Sequence, residues 1–254
     1  MRTSRILVIV TLLCLLSFVG LADNEVSEKP AMGFGFGGPL IGLFTVTLGS
    51  EDEADSINGI LTANGYGPLP ERILTFGGGG GGGVIGGFSF GGSGWGGSVS
   101  SIRAGKKAEL SLGFGGMDIA YAVGGNDRSL LLVGAVLGGG GLDLQLRERI
   151  PESFEDAVAD PTTTTLSRGF FAAEPYVAFQ VQPLSWLGFE VHLGYLLSLA
   201  GSWEEGGQEI EGPALELSGP FFGLTVAFGG IGAADAMKEE SEDTPKEVPE
   251  NTGG

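Results

Sequence analysis

The chain has little of what most site chemistry requires. It contains a single cysteine and a single histidine, His192. One cysteine excludes an internal disulfide and a multi-thiolate metal site, and one histidine excludes a zinc site built from several imidazoles. Basic residues are also scarce, with 13 Lys and Arg against 31 Asp and Glu. The net charge of −18 argues against partners such as nucleic acid or anionic lipid headgroups.

The first 22 residues have the layout of a secretory signal peptide. Arg2 and Arg5 precede a mostly apolar stretch at 6–19, and small residues lead to Ala22 just before an acidic turn. This order predicts export, with residues 1–22 removed. A membrane-spanning helix needs ~20 apolar residues, so an uncleaved anchor is the weaker alternative. Cleavage removes the cysteine, two arginines and no acidic residue, so the net charge falls from −18 to −20.

The last residues, 232–254, form an acidic segment with few large apolar side chains. Four acidic residues lie within 239–243, and prolines follow at 245 and 249. Such a segment buries too little apolar surface to order itself, so the sequence predicts a disordered acidic tail. A docking tail is the functional alternative. Residues 23–231 then form one glycine-rich domain, long enough for a single sizeable β structure.

Between residues 31 and 230 the dominant period is two. In 187–200, Leu, Val and aromatic residues occupy one face, while Gly, Glu, His and Ser occupy most of the other. The segment 176–182 alternates in the same way and a Pro-Leu-Ser turn follows it, which predicts an antiparallel hairpin. Other apolar alternations run through 44–48, 110–114, 142–146 and 224–228. Together these runs predict about ten strands.

One short helix is predicted after residue 50. Ser50 and Glu53 have the spacing of a capping box, and Asn64 with Gly65 supplies a stop signal. The apolar stripe between them consists of Ile57, Ile60 and Leu61. We expect this helix to cover a barrel mouth or a sheet edge.

Glycine is abundant, with 49 residues, and a run of seven occupies 77–83. Each glycine inside a strand costs roughly 0.5–1 kcal/mol relative to alanine, so the run predicts close approach of strands. The neighbouring Val84, Phe88 and Trp95 favour ordered β structure in 77–97 over a flexible linker. The run satisfies G-x-G-x-x-G trivially, but it has no helix after it and therefore gives no support to a dinucleotide site.

The placement of charge favours a membrane barrel over a soluble sandwich. Acidic residues gather at 51–55, 148–160 and 204–211, outside the alternating runs. Within the runs, the weaker face carries Gly, Ser, Ala and Gln, which suits a narrow lumen, and the apolar face would meet lipid. In these strands, across most of residues 32–230, the chain resembles bacterial outer-membrane β-barrel proteins as a class.

The resemblance implies an all-β fold, an antiparallel up-and-down β-barrel of roughly 8–12 strands with one short helix. It also implies export to the outer membrane, contact with outer-membrane lipid and no organic cofactor. The acidic loops are candidates for unspecific binding of divalent cations. The alternative is a secreted or cell-surface glycine-rich β protein whose strands self-associate or form a matrix.

The sequence predicts no catalytic, cofactor-binding or metal-binding residue. Glu190 and His192 share the polar face of one strand, about 7 Å apart, and we interpret them as a buried, hydrogen-bonded lumen pair rather than as catalytic bases. Residues 138–146 come close to a calcium-binding repeat, but in one copy and with Gln145 where an apolar residue is required. We therefore expect a structural or passive protein and not an enzyme.

Overall fold

The computed structural model describes residues 32–159, 163–215 and 217–233. The predicted signal peptide, and all but the first two residues of the predicted acidic tail, lie outside these ranges. The strands in chain order are β1 (Met32–Thr45), β2 (Arg72–Val84), β3 (Phe88–Arg103), β4 (Lys106–Asn126), β5 (Ser129–Arg147), β6 (Thr163–Leu184), β7 (Leu187–Ala200), β8 (Trp203–Glu205), β9 (Gln208–Ile210) and β10 (Gly219–Ala233). The helices are α1 (Ile57–Ala63) and α2 (Phe154–Ala159).

Eight of the strands close into an antiparallel up-and-down barrel. Each strand from β1 to β6 pairs with the next along the chain, β7 also pairs with β10, and β10 returns to β1. The small β8–β9 hairpin pairs with β6 at Leu166 and Ser167. Because every barrel strand has two partners, the barrel has no free edge. The predicted fold class is confirmed.

Both helices are short; α1 begins later than the sequence predicts, and α2 is not predicted at all. Ser56, not Ser50, is the N-cap of α1, where its side chain accepts a hydrogen bond from the Gly59 N–H at 3.0 Å. Helix α1 ends at the predicted stop, since Gly65 has a φ of +82° that a residue with a side chain rarely adopts. Helix α2 was not predicted, because none of its residues is buried and it has no apolar stripe against the core. None of the described helices is long and apolar enough to cross a membrane.

The two ends of the barrel differ in the length and charge of their connections. At one end, here called the turn end, the connections 85–87, 127–128 and 185–186 are tight. At the other end, here called the loop end, β1 is followed by a long connection containing α1, β5 by one containing α2, and β7 by one containing the β8–β9 hairpin. The three predicted acidic clusters all fall in these long connections. Long acidic loops at one end and short turns at the other are typical of outer-membrane barrels.

Nearer the turn end, the outside of the barrel is apolar. Leu193, for example, is 56% exposed and Phe90 60% exposed. The outward set consists of Ile41, Leu43, Leu74, Phe76, Val84, Phe88, Phe90, Met117, Leu131, Leu137, Phe171, Val177, Phe179, Val181, Phe189, Val191, Leu193, Leu199, Phe222, Leu224, Val226 and Phe228. Soluble proteins rarely expose so large a contiguous apolar surface. A closed barrel with such a surface satisfies its backbone internally and faces lipid, so we call this surface the lipid belt.

Aromatic side chains gather at the turn-end border of the lipid belt. Phe88 packs edge-on against Tyr121 with ring centroids 5.4 Å apart, and Trp186 stacks on Phe228 at 6.3 Å. Trp186 joins this group although it lies in a turn, where the strict alternation of a strand does not apply. Aromatic girdles of this kind mark the membrane–water interface in outer-membrane barrels.

Toward the loop end, the polarity of the barrel inverts. The apolar residues of the predicted runs 110–114 and 142–146 point inward; those up to Leu144 are at most 5% exposed and Leu146 is half-buried. Glu109, Asp143 and Gln145 point outward. Phe44 also points inward and is fully buried. The expectation that every apolar face meets lipid is therefore wrong for these runs. The reason is length: β4 has 21 residues, whereas a membrane needs about 9–11, so part of the strand stands in water and buries its apolar face inside.

The glycine run 77–83 lies in β2, between β1 and β3. A side chain at Gly81 would approach the Phe90 carbonyl oxygen of β3 to 2.8 Å, and one at Gly80 would approach the Phe36 carbonyl oxygen of β1 to 2.8 Å. Alternate glycines thus meet the backbones of the two neighbouring strands. Ordered β structure in 77–97 is thus confirmed, with a turn at 85–87, and the neighbouring strands approach the run closely, as the sequence predicts.

Candidate functional site in the barrel lumen

A hydrogen-bonded network of polar side chains crosses the lumen. Glu174 of β6 is its centre: Trp95 Nε1 donates to Glu174 Oε2 at 3.0 Å, and Glu174 Oε1 lies 2.9 Å from His192 Nε2. Tyr176 stacks on the His192 ring at a centroid distance of 4.3 Å, and its hydroxyl donates to Asp118 Oδ1 at 2.7 Å. These side chains come from β3, β4, β6 and β7, so the network ties opposite walls together.

Local sequence explains how Glu174 reaches this position. It follows an apolar stretch at 170–173. In β6 it lies an even number of residues from the inward-facing Phe170 and Tyr176, so the alternation of the strand points it into the lumen. Gly194 of β7 provides the space, since a Cβ atom there would lie 2.5 Å from Glu174 Oε1. Glu174 is 1% exposed. A carboxylate so deeply buried is stable only with partners, which Trp95 and His192 supply.

A small cavity lies beside the network. Its volume is about 90 Å³, and it is lined by Asp118, Glu174, Glu190 and His192 together with aromatic rings and inward glycines. No lysine or arginine belongs to the part of this lining that the structure describes. Arg168, an inward-facing base, lies nearer the loop end, where it donates to the carbonyl oxygens of Gly201 and Leu215.

Five aromatic side chains fill the lumen on the loop-end side of the network. Trp95 stacks on Phe221 at a centroid distance of 4.8 Å and contacts Phe44 at 5.1 Å and Phe114 at 5.7 Å; Phe114 in turn stacks on Phe170 at 6.5 Å. We call these five residues the aromatic plug. Further toward the loop end, the inward leucines of β4 and β5 join buried residues of α1 in one apolar core.

The sequence singled out Glu190 and His192, and the structure places both on the lumen side of β7. They do not bond to each other: His192 bonds to Glu174, and Glu190 stands opposite Gln180 of β6 and Thr225 of β10. The predicted pair is therefore correct in its position and wrong in its partner. The near-calcium motif 138–146 is plain strand, in which Asp143 points outward and accepts a hydrogen bond from Ser167.

Sequence reasoning missed Trp95, Asp118, Glu174 and Tyr176 as members of the site. The signal that could have found Glu174 and Asp118 is an isolated acidic residue in the membrane-crossing part of a strand, because such a residue must face the lumen rather than lipid. Among the described residues, no group of three or more His, Cys, Asp and Glu side chains is arranged to hold a metal ion.

No known family model and no curated protein matches the sequence. Several solved structures align with the chain, and two of them are bacterial outer-membrane proteins. Ail, the attachment invasion locus protein of Yersinia pestis, solved in complex with the heparin analogue sucrose octasulfate, is 9% identical with a TM-score of 0.44, covering 79% of this chain and 100% of Ail. The outer membrane protease OmpT from Escherichia coli is 8% identical with a TM-score of 0.30, covering 83% of this chain and 99% of OmpT. The closed sheet and lipid belt of the chain itself make it an outer-membrane β-barrel protein.

Proposed function

We propose that this chain is a passive outer-membrane scaffold, a sealed barrel that neither conducts solutes nor catalyses a reaction. It anchors an acidic outer cap, the name used here for the three long connections of the loop end. The observation that carries the proposal is the aromatic plug. Its rings come from β1, β3, β4, β6 and β10 and pack at centroid distances of 4.8–6.5 Å, the range of rings in direct contact.

The space around the plug also supports a closed barrel. The lumen cavity holds about 90 Å³, roughly three water volumes, which is far from a continuous channel. On the loop-end side of the plug, Leu110 and Leu144 are at most 4% exposed, so this half of the barrel has a dry core. A solute would have to displace both the rings and this core to pass.

The hydrogen bonds of the network argue for structure rather than catalysis. Both oxygens of Glu174 are engaged, one by Trp95 and one by His192. Within the described part of the chain, His192 makes no hydrogen bond to a serine or threonine hydroxyl, the arrangement that activates such a nucleophile. The network therefore resembles an internal brace between strands.

The secreted, self-associating alternative receives less support. Self-association through strands requires long free edges, and closure between β10 and β1 leaves none among the eight barrel strands; the unpaired side of β9 spans three residues. In a secreted protein the lipid belt would also have to be covered by another surface, because it would otherwise face water. The acidic loop end fits the expected unspecific binding of divalent cations, which could bridge it to a negatively charged outer surface.

Conductance in planar lipid bilayers tests the proposal. The refolded wild-type barrel should give no stable current steps. A variant that truncates both barriers, with Trp95→Ala and Phe221→Ala in the plug and Leu110→Ala and Leu144→Ala in the loop-end core, should give them. Phe76→Ala, which removes an outward ring of β2, is the matched control and should stay silent. Heat-dependent mobility on detergent gels verifies that each variant is folded. Steady current steps from the wild type would overturn the proposal.

A further inference from the structure

The lumen cavity has an unbalanced charge. Asp118, Glu174 and Glu190 contribute three carboxyl groups to its lining, and His192 is the sole ionisable group that could oppose them in the described lining. The Glu174–His192 contact at 2.9 Å accounts for one carboxylate. Asp118 and Glu190 are half-buried. Carboxylates that have lost much of their water without gaining a counter-charge are costly, so these two need either protons or a bound cation.

An unpartnered amide points to a ligand as the answer. Gln180 lines the same cavity and is 2% exposed, and its Nε2 has no hydrogen-bond partner within the described residues. A half-turn of the amide about its last side-chain bond would present Oε1 instead, so Gln180 can offer either a donor or an acceptor to a guest. Buried amide groups rarely remain unpaired, which makes this side chain an independent sign of a polar occupant.

The cavity walls restrict the chemistry of that occupant. Phe34, Trp95, Tyr176 and Phe221 contribute to the lining, and aromatic faces attract cations that have lost part of their hydration shell. A strongly hydrated metal ion suits these walls poorly, in keeping with the absence of a metal-type cluster among the described residues. The volume of about 90 Å³ admits an ion of a few heavy atoms.

We propose that the lumen cavity binds a small organic ammonium ion, of about the size of methylammonium, between the carboxylates of Asp118 and Glu190 and the surrounding aromatic rings. The bound ion neutralises lumen charge that the chain itself leaves unbalanced. This goes beyond a passive role, since it gives the sealed barrel a specific guest, and it does not depend on whether the barrel conducts.

The test is isothermal titration calorimetry of the refolded barrel in a zwitterionic detergent, with methylammonium chloride as the probe and sodium chloride at equal ionic strength as the reference. Refolding in the presence of the probe, followed by dialysis and retitration, covers slow entry. Saturable one-to-one binding is expected for methylammonium alone, with a millimolar dissociation constant because tiny ligands have a low ceiling on affinity.

Variants locate the binding. Glu190→Gln and Asp118→Asn should each weaken it at least tenfold, whereas Glu209→Gln, an exposed acid of β9, should leave it unchanged. Ser93→Leu fills the cavity without altering its charge and should abolish binding. This variant tests the proposal even if a charge variant fails to fold. No saturable binding by the wild type, equal binding of sodium, or undiminished binding by Ser93→Leu would each overturn the proposal; the carboxyl groups would then be protonated and the cavity filled by water.

Discussion

Trp95 of β3 and Glu174 of β6 are 79 residues apart in the chain and three strands apart around the barrel, yet Trp95 Nε1 donates a hydrogen bond to Glu174 Oε2 at 3.0 Å. Glu174 Oε1 is simultaneously 2.9 Å from His192 Nε2 on β7. One carboxylate thus braces three strands across the lumen. Hydrogen bonds to a charged group typically contribute about 1.5–3 kcal/mol each, so the brace matters to stability.

We predict that Glu174→Gln lowers the free energy of unfolding by about 2–4 kcal/mol, because it weakens two charge-assisted hydrogen bonds in a buried site. Urea unfolding of the detergent-refolded barrel measures this. Glu205→Gln, which removes an exposed acid of β8, should change it by less than about 0.5 kcal/mol. A double-mutant cycle with Trp95→Phe should give a coupling energy of at least about 0.5 kcal/mol, and additive effects would show that the two side chains act independently.

The glycine run should not tolerate side chains. A Cβ at Gly77 would overlap the Gly94 carbonyl oxygen of β3, and we expect Gly77→Ala to abolish refolding or to destabilise the barrel by more than about 2 kcal/mol. Gly113 of β4 is the matched control, since a Cβ there meets nothing within 4 Å; Gly113→Ala should be neutral or slightly stabilising. The fraction of protein with folded mobility on unheated detergent gels measures both. Equal refolding of the two variants would contradict close approach as the reason for the run.

The inversion of polarity along the strands predicts a position-dependent response to charge. Leu193→Arg, in the lipid belt, should destabilise the barrel by about 2–4 kcal/mol in lipid vesicles. Gln145→Arg also points outward, but lies on the part of β5 that stands in water, and should cost less than about 0.5 kcal/mol. Denaturant unfolding from vesicles makes the comparison. A similar cost at both sites would mean that the membrane border lies elsewhere.

The burial of Tyr66 in the outer cap predicts that the free energy of unfolding falls at alkaline pH. The residue is 5% exposed, and the Lys106 ammonium lies 5.0 Å above its ring. Burial raises the pKa of the Tyr66 hydroxyl above its usual value of 10.0, the Glu148 carboxylate adds to the rise, and Lys106 opposes it. Since the pKa is higher in the folded state than in the unfolded state, this stabilising contribution is complete below about pH 10 and is lost as the pH rises through the folded value.

The comparison of wild type with Tyr66→Phe isolates that effect, because both chains share every other titrating group. We expect the difference in the free energy of unfolding between the two to be constant from pH 7 to about pH 9 and to shift against the wild type at higher pH. Absorbance of tyrosinate near 295 nm checks that the phenol ionises in that range. Parallel pH profiles for the two chains would show that the cap does not constrain Tyr66.

Much of the fold could be predicted because it depends on local pattern. The hairpin of β6 and β7 was visible in the alternation of Val177, Phe179 and Val181 with Tyr176 and Ala178, and the structure places the first three outward and the other two inward. The helix stop at Gly65 was equally visible, because it depends on a residue's own backbone preference. The start of the helix could not be predicted in this way. Ser50 and Ser56 are both good N-cap residues, and packing against the barrel selects between them.

The faces of the longest strands could not be predicted from alternation. Period two states that Leu110 and Leu112 share a face with each other, and it does not state whether that face meets lipid or the interior. The answer depends on how far β4 extends beyond the membrane, which is set by pairing with β3 and β5 over its whole length. For a similar reason only part of the site could be predicted. The position of His192 on the lumen side of β7 follows from the alternation of β7 itself, but its partner Glu174 lies in β6.

The sequence by itself determined that no internal disulfide can form, the acidic net charge, the antiparallel β pattern and the gathering of the acidic clusters in the loops, because all of these are properties of composition and of neighbours along the chain. The tertiary structure alone decided the closure of β10 onto β1, the meeting of Trp95 with Glu174, and the gathering of Asp118, Glu174 and Glu190 around one cavity. Each of those depends on strands far apart in sequence becoming neighbours or facing each other, and the register and curvature of a closed sheet fix which side chains then meet.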